Sequence, residues 1–540
     1  MPNDTHPKTI HRDYFLLAGI ALILNLLALY FQKVPGYMDA EYYYAGSLNL
    51  FNGHGFFETY IWNTLGLPAL LPSASHLYWM PLPSVLGALG MFIFQASDYI
   101  YARIPFLFIA VFIPILTYQF ATNFTSARRV HLIAGFMAVF SGVYLVYLSL
   151  VESFSLYMLL GGFIGLTVYK LLSGNNSKAK QNILFIFLGI LCAFMHLTRA
   201  DGILWIGFCG LIPVFWGLIQ KKWKDGLSGL LFLVLPYVAI MLPWYSRNWQ
   251  LFQQIFPPGN QYALFLTEYN DNFLYPVDQI TVQRWLSSGI GNILGDRFQA
   301  VGSNLLTGWM IQFGILLLPF FIVWVTKSWK LIYVRWLLIC YSVQFVFMSF
   351  IFPYAGMRGG FLHSGSAFQI MFWVGSAIGL FQTIDWWMKK RAAFDSRIPL
   401  LLSGGVIFIL SIITGMMYQQ KVFGSQSEIV KWQQDTDLYT DLNHVLHEKG
   451  ISDDASVMIK DPPGFHLVSN RHAIVVPNSD INGLILMADQ YDIDYLILDP
   501  HIVPELAAFY EFAPAIDGLQ FEFAHEDFKV FSFTNEVESQ

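Results

Sequence analysis

Charged side chains are scarce in this sequence. Asp, Glu, Lys and Arg make up only 12% of its 540 residues, against about 25% in soluble domains. So few charges cannot cover a water-facing surface of that size, which excludes an ordinary soluble protein. The mild net charge of −6 leaves no basic footprint for nucleic acid. Cysteine is nearly missing as well: Cys192, Cys209 and Cys340 all lie in apolar runs, so there is no disulfide framework and no clue to redox compartment. No small-x-small cleavage site follows the first apolar run, 14–31, although Lys8 and Arg12 precede it. That run reads as a retained signal anchor.

What the chain has in abundance is hydrophobic and aromatic residues, 55% and 17%. About 20 apolar residues span a bilayer as a helix. Runs near that length occur at 14–31, 104–121, 131–149, 154–172, 181–197, 203–220, 227–245, 306–326, 331–352, 367–384 and 398–418. A further stretch, 78–97, contains Pro81, Pro83, Gly87 and Gly90. The sequence therefore predicts a polytopic α-helical membrane protein of about 11 transmembrane helices, in the plasma (inner) membrane.

Basic residues decide sidedness, because cytoplasmic loops are enriched in Lys and Arg. With eleven spans and a cytoplasmic N-terminus, Arg128, Arg129, Lys178, Lys180, Lys221, Lys222, Lys224, Lys327, Lys330, Lys389, Lys390, Arg391 and Arg397 all fall inside. Counting 78–97 as a span would invert that bias, so it is expected to be an interfacial or re-entrant helix on the outer side. The inner loops carry basic residues and no phosphate-cradling glycine motif, which argues against a nucleotide-sugar bound there.

The outer side then holds the first loop 32–103, turns near Glu152, Arg199 and 353–366, the segment 246–305, and the tail from about 421 to 540, periplasmic or extracellular. The tail is charged and alternates strand and helix patterns. Strands are expected at Ser456–Lys460, Ala473–Val476, Tyr495–Leu498, Phe521–Ala524 and Lys529–Phe533, with helices near 427–449, 480–491 and 504–511. This is a small α/β domain beside a membrane domain of residues 1–420. Asp461-Pro462-Pro463-Gly464 and Asp499-Pro500 read as turns, and the tail itself as a lid or acceptor-docking module.

The polar residues that could do chemistry gather on the outer side. Asp39 and Glu41 stand two apart just after the first run, ahead of Tyr42, Tyr43 and Tyr44. Paired acids there suit base catalysis or a divalent cation, or else simply open a solvated loop. His76 and Tyr78 precede Pro81 and Pro83. Arg199 and Asp201 share one tight turn and either close it or face a site. Arg247 ends another run, where it can snorkel or hold phosphate. Arg358 sits among Gly356, Gly359 and Gly360, ahead of His363, and Glu152 is the acid of its own turn.

This pattern resembles the GT-C superfamily of membrane glycosyltransferases, and within it the protein O-mannosyltransferases and lipid A aminoarabinose transferases. The likeness covers roughly residues 10–420, and Asp39-Ala40-Glu41 matches the acidic motif of the first outer loop, with Ala40 separating the acids. Where the aminoarabinose transferases carry an acid-Lys-Pro motif, this chain has His76 to Pro81. The resemblance implies an inverting transfer of sugar from a polyprenyl-phosphate donor to a hydroxyl of a lipid, glycan or protein acceptor. Asp39 would be the base, with Glu41 beside it. Arg199, Arg247 and Arg358 would hold the donor phosphate, and His76, Tyr78, Asp201 and His363 would shape the substrate site. Glu41, Glu152 and His76 would hold a divalent cation (Mg, Mn or Zn). The competing reading is a lipid-linked sugar flippase or transporter. A transporter needs polar groups at mid-membrane depth, and here the apolar runs are nearly free of charge.

Overall fold

A computed structural model describes residues 7–66, 70–174, 176–391, 397–425, 430–501, 503–514 and 516–534. Among the described residues, nine helices are long and apolar enough to cross a membrane: Ile10–Phe31, Tyr99–Ala121, Ser153–Ser173, Lys178–Thr198, Ala200–Leu218, Trp223–Phe252, Ile332–Ile351, Pro353–Arg391 and Ile398–Phe423. Their outer faces remain apolar and exposed, as at Phe15, Ile23, Leu400 and Leu401. Water would make such a surface costly, whereas lipid tails match it. Some hydroxyls inside the helices donate to their own backbone, as Thr117 does to Ile113 O and Ser403 to Pro399 O, which satisfies those groups in hydrocarbon.

Two of the expected spans are interrupted rather than continuous helices. In 131–149 the helix Arg128–Val139 stops and a 3-10 turn, Gly142–Val146, follows. The cause is Ser141-Gly142, where Gly142 takes φ +66°. The freed backbone groups are met by side chains of other helices. Gly142 N donates to Thr414 Oγ1 at 3.0 Å, and Gln32 Nε2 donates to Val146 O at 3.0 Å. In 306–326 a π-helical turn, Thr307–Gln312, breaks at Gly314 and Ile315, both left-handed, before the helix Leu318–Ser328. Here Gln369 Nε2 donates to Gln312 O at 2.7 Å. Irregular backbone at membrane depth is tolerated where protein satisfies it in this way.

Both broken segments still connect the two ends of the bundle. Arg128 pairs with Asp13 at 2.6 Å at one end, while Glu152 pairs with His363 at the other. Gln312 Nε2 reaches Phe361 O, and Lys327 Nζ reaches Gln382 O. The stretch 78–97 contains the helix Leu82–Phe94, 13 residues long. At 1.5 Å per residue that is about 20 Å, short of the ~30 Å hydrocarbon core. Val85, Leu89, Phe92 and Ile93 are exposed on it, and its other face packs on the helix Met38–Phe51, Gly87 lying against Ser47. That is the geometry of an interfacial helix.

The tail forms a six-stranded sheet with spatial order Tyr60–Ile61, Ala473–Val475, Val457–Ile459, Tyr495–Leu498, Phe528–Phe533, Leu519–His525. Its first four strands are parallel and the last two close it as an antiparallel hairpin. The edge strand Tyr60–Ile61 comes from the first loop, so loop and tail share one sheet. The expected turn at Asp461 to Gly464 is instead the start of a helix, Pro462–Ser469. Asp461 caps it by accepting from Gly464 N, and two prolines fill its first turn, where no N–H is needed. The last apolar helix runs through residue 420 to Phe423, and the start of the expected helix near 427 lies outside the described residues.

Candidate functional site

The site grows from three helix ends. The helix Met38–Phe51 begins just beyond the first span and carries Asp39 and Glu41 in its first turn, where the free N–H groups favour carboxylates. Glu152 is the N-cap of the helix Ser153–Ser173 and accepts from Ser153 N. His363 lies in the short helix Phe361–Gly365, after a π-helical turn in which Gly359 takes φ +110°. Gly161 brings the helices of Glu152 and His363 together, because a Cβ there would lie 2.0 Å from Ala367 O. Phe154 then stacks on the His363 ring at 3.9 Å.

These supports place His363 between two carboxylates. Its Nδ1 is 3.0 Å from Glu152 Oε1 and 3.1 Å from Ser153 Oγ, and its Nε2 is 3.8 Å from Asp39 Oδ2. One donor atom from each of Asp39, Glu152 and His363 falls within 4.8 Å of the others. Glu152 is 1% exposed, whereas 29% of the Asp39 side chain faces the cavity lumen. Burial raises the Asp39 carboxyl to about 6, His363 opposing and Glu152 adding to the rise. For Glu152 burial pulls upward, but His363 and the Ser153 N–H outweigh it and leave the group below the ordinary carboxyl value. Two neighbouring acids are thus driven apart, one toward a proton acceptor near neutrality and one toward a permanent anion.

Asp39 and His363 open on a cavity of about 420 Å³, also lined by Arg199, Asp201 and Arg358 and by an aromatic wall that includes Trp62, Tyr78 and Trp79. Trp62 and Trp79 stack at 4.0 Å. Of the three arginines singled out in the sequence, two have protein partners. Arg199 Nε donates to Asp201 Oδ1 at 2.8 Å, and Asp201 also takes Tyr157 OH and Gln344 Nε2. Arg247 donates to the carbonyls of Ser75 and Phe56, lies over Trp244 and is not part of the cavity wall. Arg358 is exposed to the cavity, rests over the Tyr269 ring at 4.6 Å and meets no carboxylate among the described residues.

Two expected site residues point elsewhere. Glu41, 3% exposed, turns away from Asp39 toward the tail, where burial and the neighbouring Asp461 carboxyl raise it strongly. His76 is buried under the loop with Ser75 and Ser84 on its two nitrogens, and burial with Arg247 nearby lowers it to about 3. Neither joins the donor group of Glu152; Asp39 and His363 do. Sequence reading passed over His196, which lines the cavity and bonds Tyr237 OH at 2.7 Å. Its one signal was a lone histidine three positions before Arg199. Tyr269 was missed too, in a loop with no motif.

A mixed set of two carboxylates and one imidazole suits zinc or manganese better than calcium. Asp39, Glu152 and His363 therefore fit a divalent cation, more closely than the set built on Glu41 and His76.

No family model and no curated protein sequence matches the chain. Solved structures do. An oligosaccharyltransferase of Archaeoglobus fulgidus, crystallised with Zn and sulfate, matches at TM-score 0.60 and 15% identity over 93% of this chain and 69% of its own. The same archaeal protein, AglB, in complex with an inhibitory peptide and a dolichol-phosphate, matches at TM-score 0.52 and 13% identity over 97% and 74%. ArnT of Cupriavidus metallidurans bound to undecaprenyl phosphate matches at TM-score 0.57 and 11% identity over 97% and 98%. The likeness runs through bundle and tail together, and by it the chain is a multi-pass membrane protein with the GT-C fold of AglB and ArnT.

Proposed function

We propose that the chain is an inverting glycosyltransferase that moves a sugar from a polyprenyl-phosphate donor to an acceptor hydroxyl on the outer face of the membrane. One observation carries this reading: a carboxylate raised toward neutrality and an unpaired guanidinium face each other's cavity at the end of an apolar bundle. A sugar phosphodiester anchored in lipid presents its phosphate and anomeric carbon at that depth.

In the reaction the acceptor oxygen attacks the anomeric carbon and its proton passes to Asp39. The bond from that carbon to the phosphate oxygen breaks, and polyprenyl phosphate leaves with the electron pair. Arg358 meets the charge that grows on the phosphate, its planar fork matching two oxygens. Arg199, held by Asp201, shapes the wall beside it. Glu152 fixes the His363 ring through Nδ1, so that Nε2 faces Asp39. A divalent cation held by Asp39, Glu152 and His363 would supply Lewis acidity toward the phosphate. The aromatic wall offers flat apolar faces to the sugar and to the first lipid units. The tail, residues 421–540 in this reading, holds the first loop through the strand Tyr60–Ile61.

The test is purified protein in vesicles with a polyprenyl-phosphate sugar. Release of free polyprenyl phosphate supports transfer. Movement of intact donor across the bilayer without release would establish the flippase reading instead.

A further inference from the structure

The cavity wall is poor in positive charge, and the count is small enough to use. Among the described residues its cationic side chains are Arg199 and Arg358, and its histidines are His196 and His363. Arg199 is occupied by Asp201 at 2.8 Å. His363 stands between Asp39 and Glu152. His196 is engaged by the hydroxyls of Tyr237 and Tyr245 at 2.7 and 3.4 Å. No lysine lines the wall, which leaves Arg358 as the one cation there without an anionic partner.

A phosphodiester donor carries one negative charge, and Arg358 matches it. A second phosphate would enter a cavity whose remaining exposed ion is the Asp39 carboxylate. Burying an anion without a partner is strongly unfavourable, and a like charge nearby worsens it. A divalent cation on Asp39, Glu152 and His363 cancels those two carboxylates and adds no surplus. From this balance, resting on the transferase reading above, we infer that the acceptor is an uncharged hydroxyl compound, with no phosphate or other anion beside the reacting oxygen. The rest of the wall agrees: Trp62, Tyr78 and Trp79 present aromatic faces, and Asn248 and Asn260 neutral amides. Acceptor selection then works partly by rejection, since a phosphorylated analogue meets no counter-charge.

The experiment uses the full chain in nanodiscs with a polyprenyl-phosphate sugar. Two matched pairs serve as probes: hexyl glucoside with its 6-phosphate, and a neutral seryl tetrapeptide with the same peptide carrying phosphoserine beside the serine. Calorimetry reads binding of each, and polyprenyl phosphate release is followed in parallel. In at least one pair the uncharged member should bind at least tenfold more tightly and speed release, and in neither should the phosphorylated member prevail. Equal binding within both pairs, nil included, or preference for a phosphorylated member overturns the inference. Absence of polyprenyl phosphate release under every condition would instead sink the transferase reading, while the binding preference still decides this one.

Discussion

Gly36 and Trp432 offer a direct probe of how the tail holds the loop that carries Asp39. Gly36 stands three residues before Asp39 with φ +79°, and a Cβ on it would lie 2.2 Å from Trp432 Nε1. The indole is fixed: it is 6% exposed, donates to Val34 O at 2.9 Å and packs on Tyr37. Gly36→Ala therefore meets two separate costs. The left-handed backbone alone costs about 1–2 kcal/mol for a residue with a Cβ, and the overlap with a ring that cannot retreat adds to it. Trp432→Ala removes the overlap but empties a packed site, at about 3–5 kcal/mol. The two changes share one contact, so the double variant should be less destabilised than the sum by about 1–2 kcal/mol, within the usual range for touching residues. Thermal unfolding of the four proteins in nanodiscs reads this. Gly36→Ala should also slow polyprenyl phosphate release by about 100-fold, the order expected when a catalytic group moves by about 1 Å, and Trp432→Ala in the same chain should restore part of it. Strict additivity in both readouts would refute the reasoning.

Four further outcomes follow. Arg358→Lys keeps charge but loses the planar fork, so donor binding should weaken about tenfold. Arg247→Lys should leave donor dependence alone and lower stability, since its partners are the carbonyls of Ser75 and Phe56; the reverse pattern in donor titrations would contradict the assignment. Glu58 is buried and raised to about 8, with Tyr42 and Arg247 opposing only in part. The folded state then binds more protons than the unfolded one between the ordinary carboxyl range and pH 8, so stability falls as pH rises through that window, by up to about 1.4 kcal/mol per unit. Glu58→Gln should flatten the profile, and an unchanged slope in melting curves from pH 5 to 9 would exclude this group as the cause. Single cysteines at the exposed positions 97 and 126 in a cysteine-free background should label differently with an impermeant outer reagent, 97 reacting and 126 protected. Ready labelling at 126 would overturn the proposed orientation.

Much of the fold was legible because membrane segments announce themselves by length and composition alone. Tyr495–Leu498 was also foreseen to the residue, a β-branched and aromatic run between polar turns. The failures have local causes. Ser141-Gly142 and Gly314-Ile315 interrupt runs that hydropathy averages over, and part of their freed backbone is satisfied by Thr414, Gln32 and Gln369, distant in the chain. Asp461-Pro462-Pro463-Gly464 carries the same residues as a turn and as a capped helix start, and only the packing of Phe465 into the core decides between them. At the site, Asp39 was visible from its place after the first span. The grouping with Glu152 and His363 joins residues some hundreds of positions apart, which spacing cannot show. Glu41 looked equivalent to Asp39, yet a step of two on a helix turns a side chain to roughly the opposite face, and here that face meets Asp461 of the tail.

The central claim is that Asp39 accepts the acceptor proton in a donor-consuming transfer. The most direct measurement is the rate of polyprenyl phosphate release from a polyprenyl-phosphate sugar, by the native chain and by Asp39→Asn, with folding checked by melting temperature. Asn keeps the shape and removes the basicity, and general base catalysis contributes about 100- to 10,000-fold. The account predicts a loss of that order with the melting temperature held. Near-native release by a folded Asp39→Asn protein would contradict it.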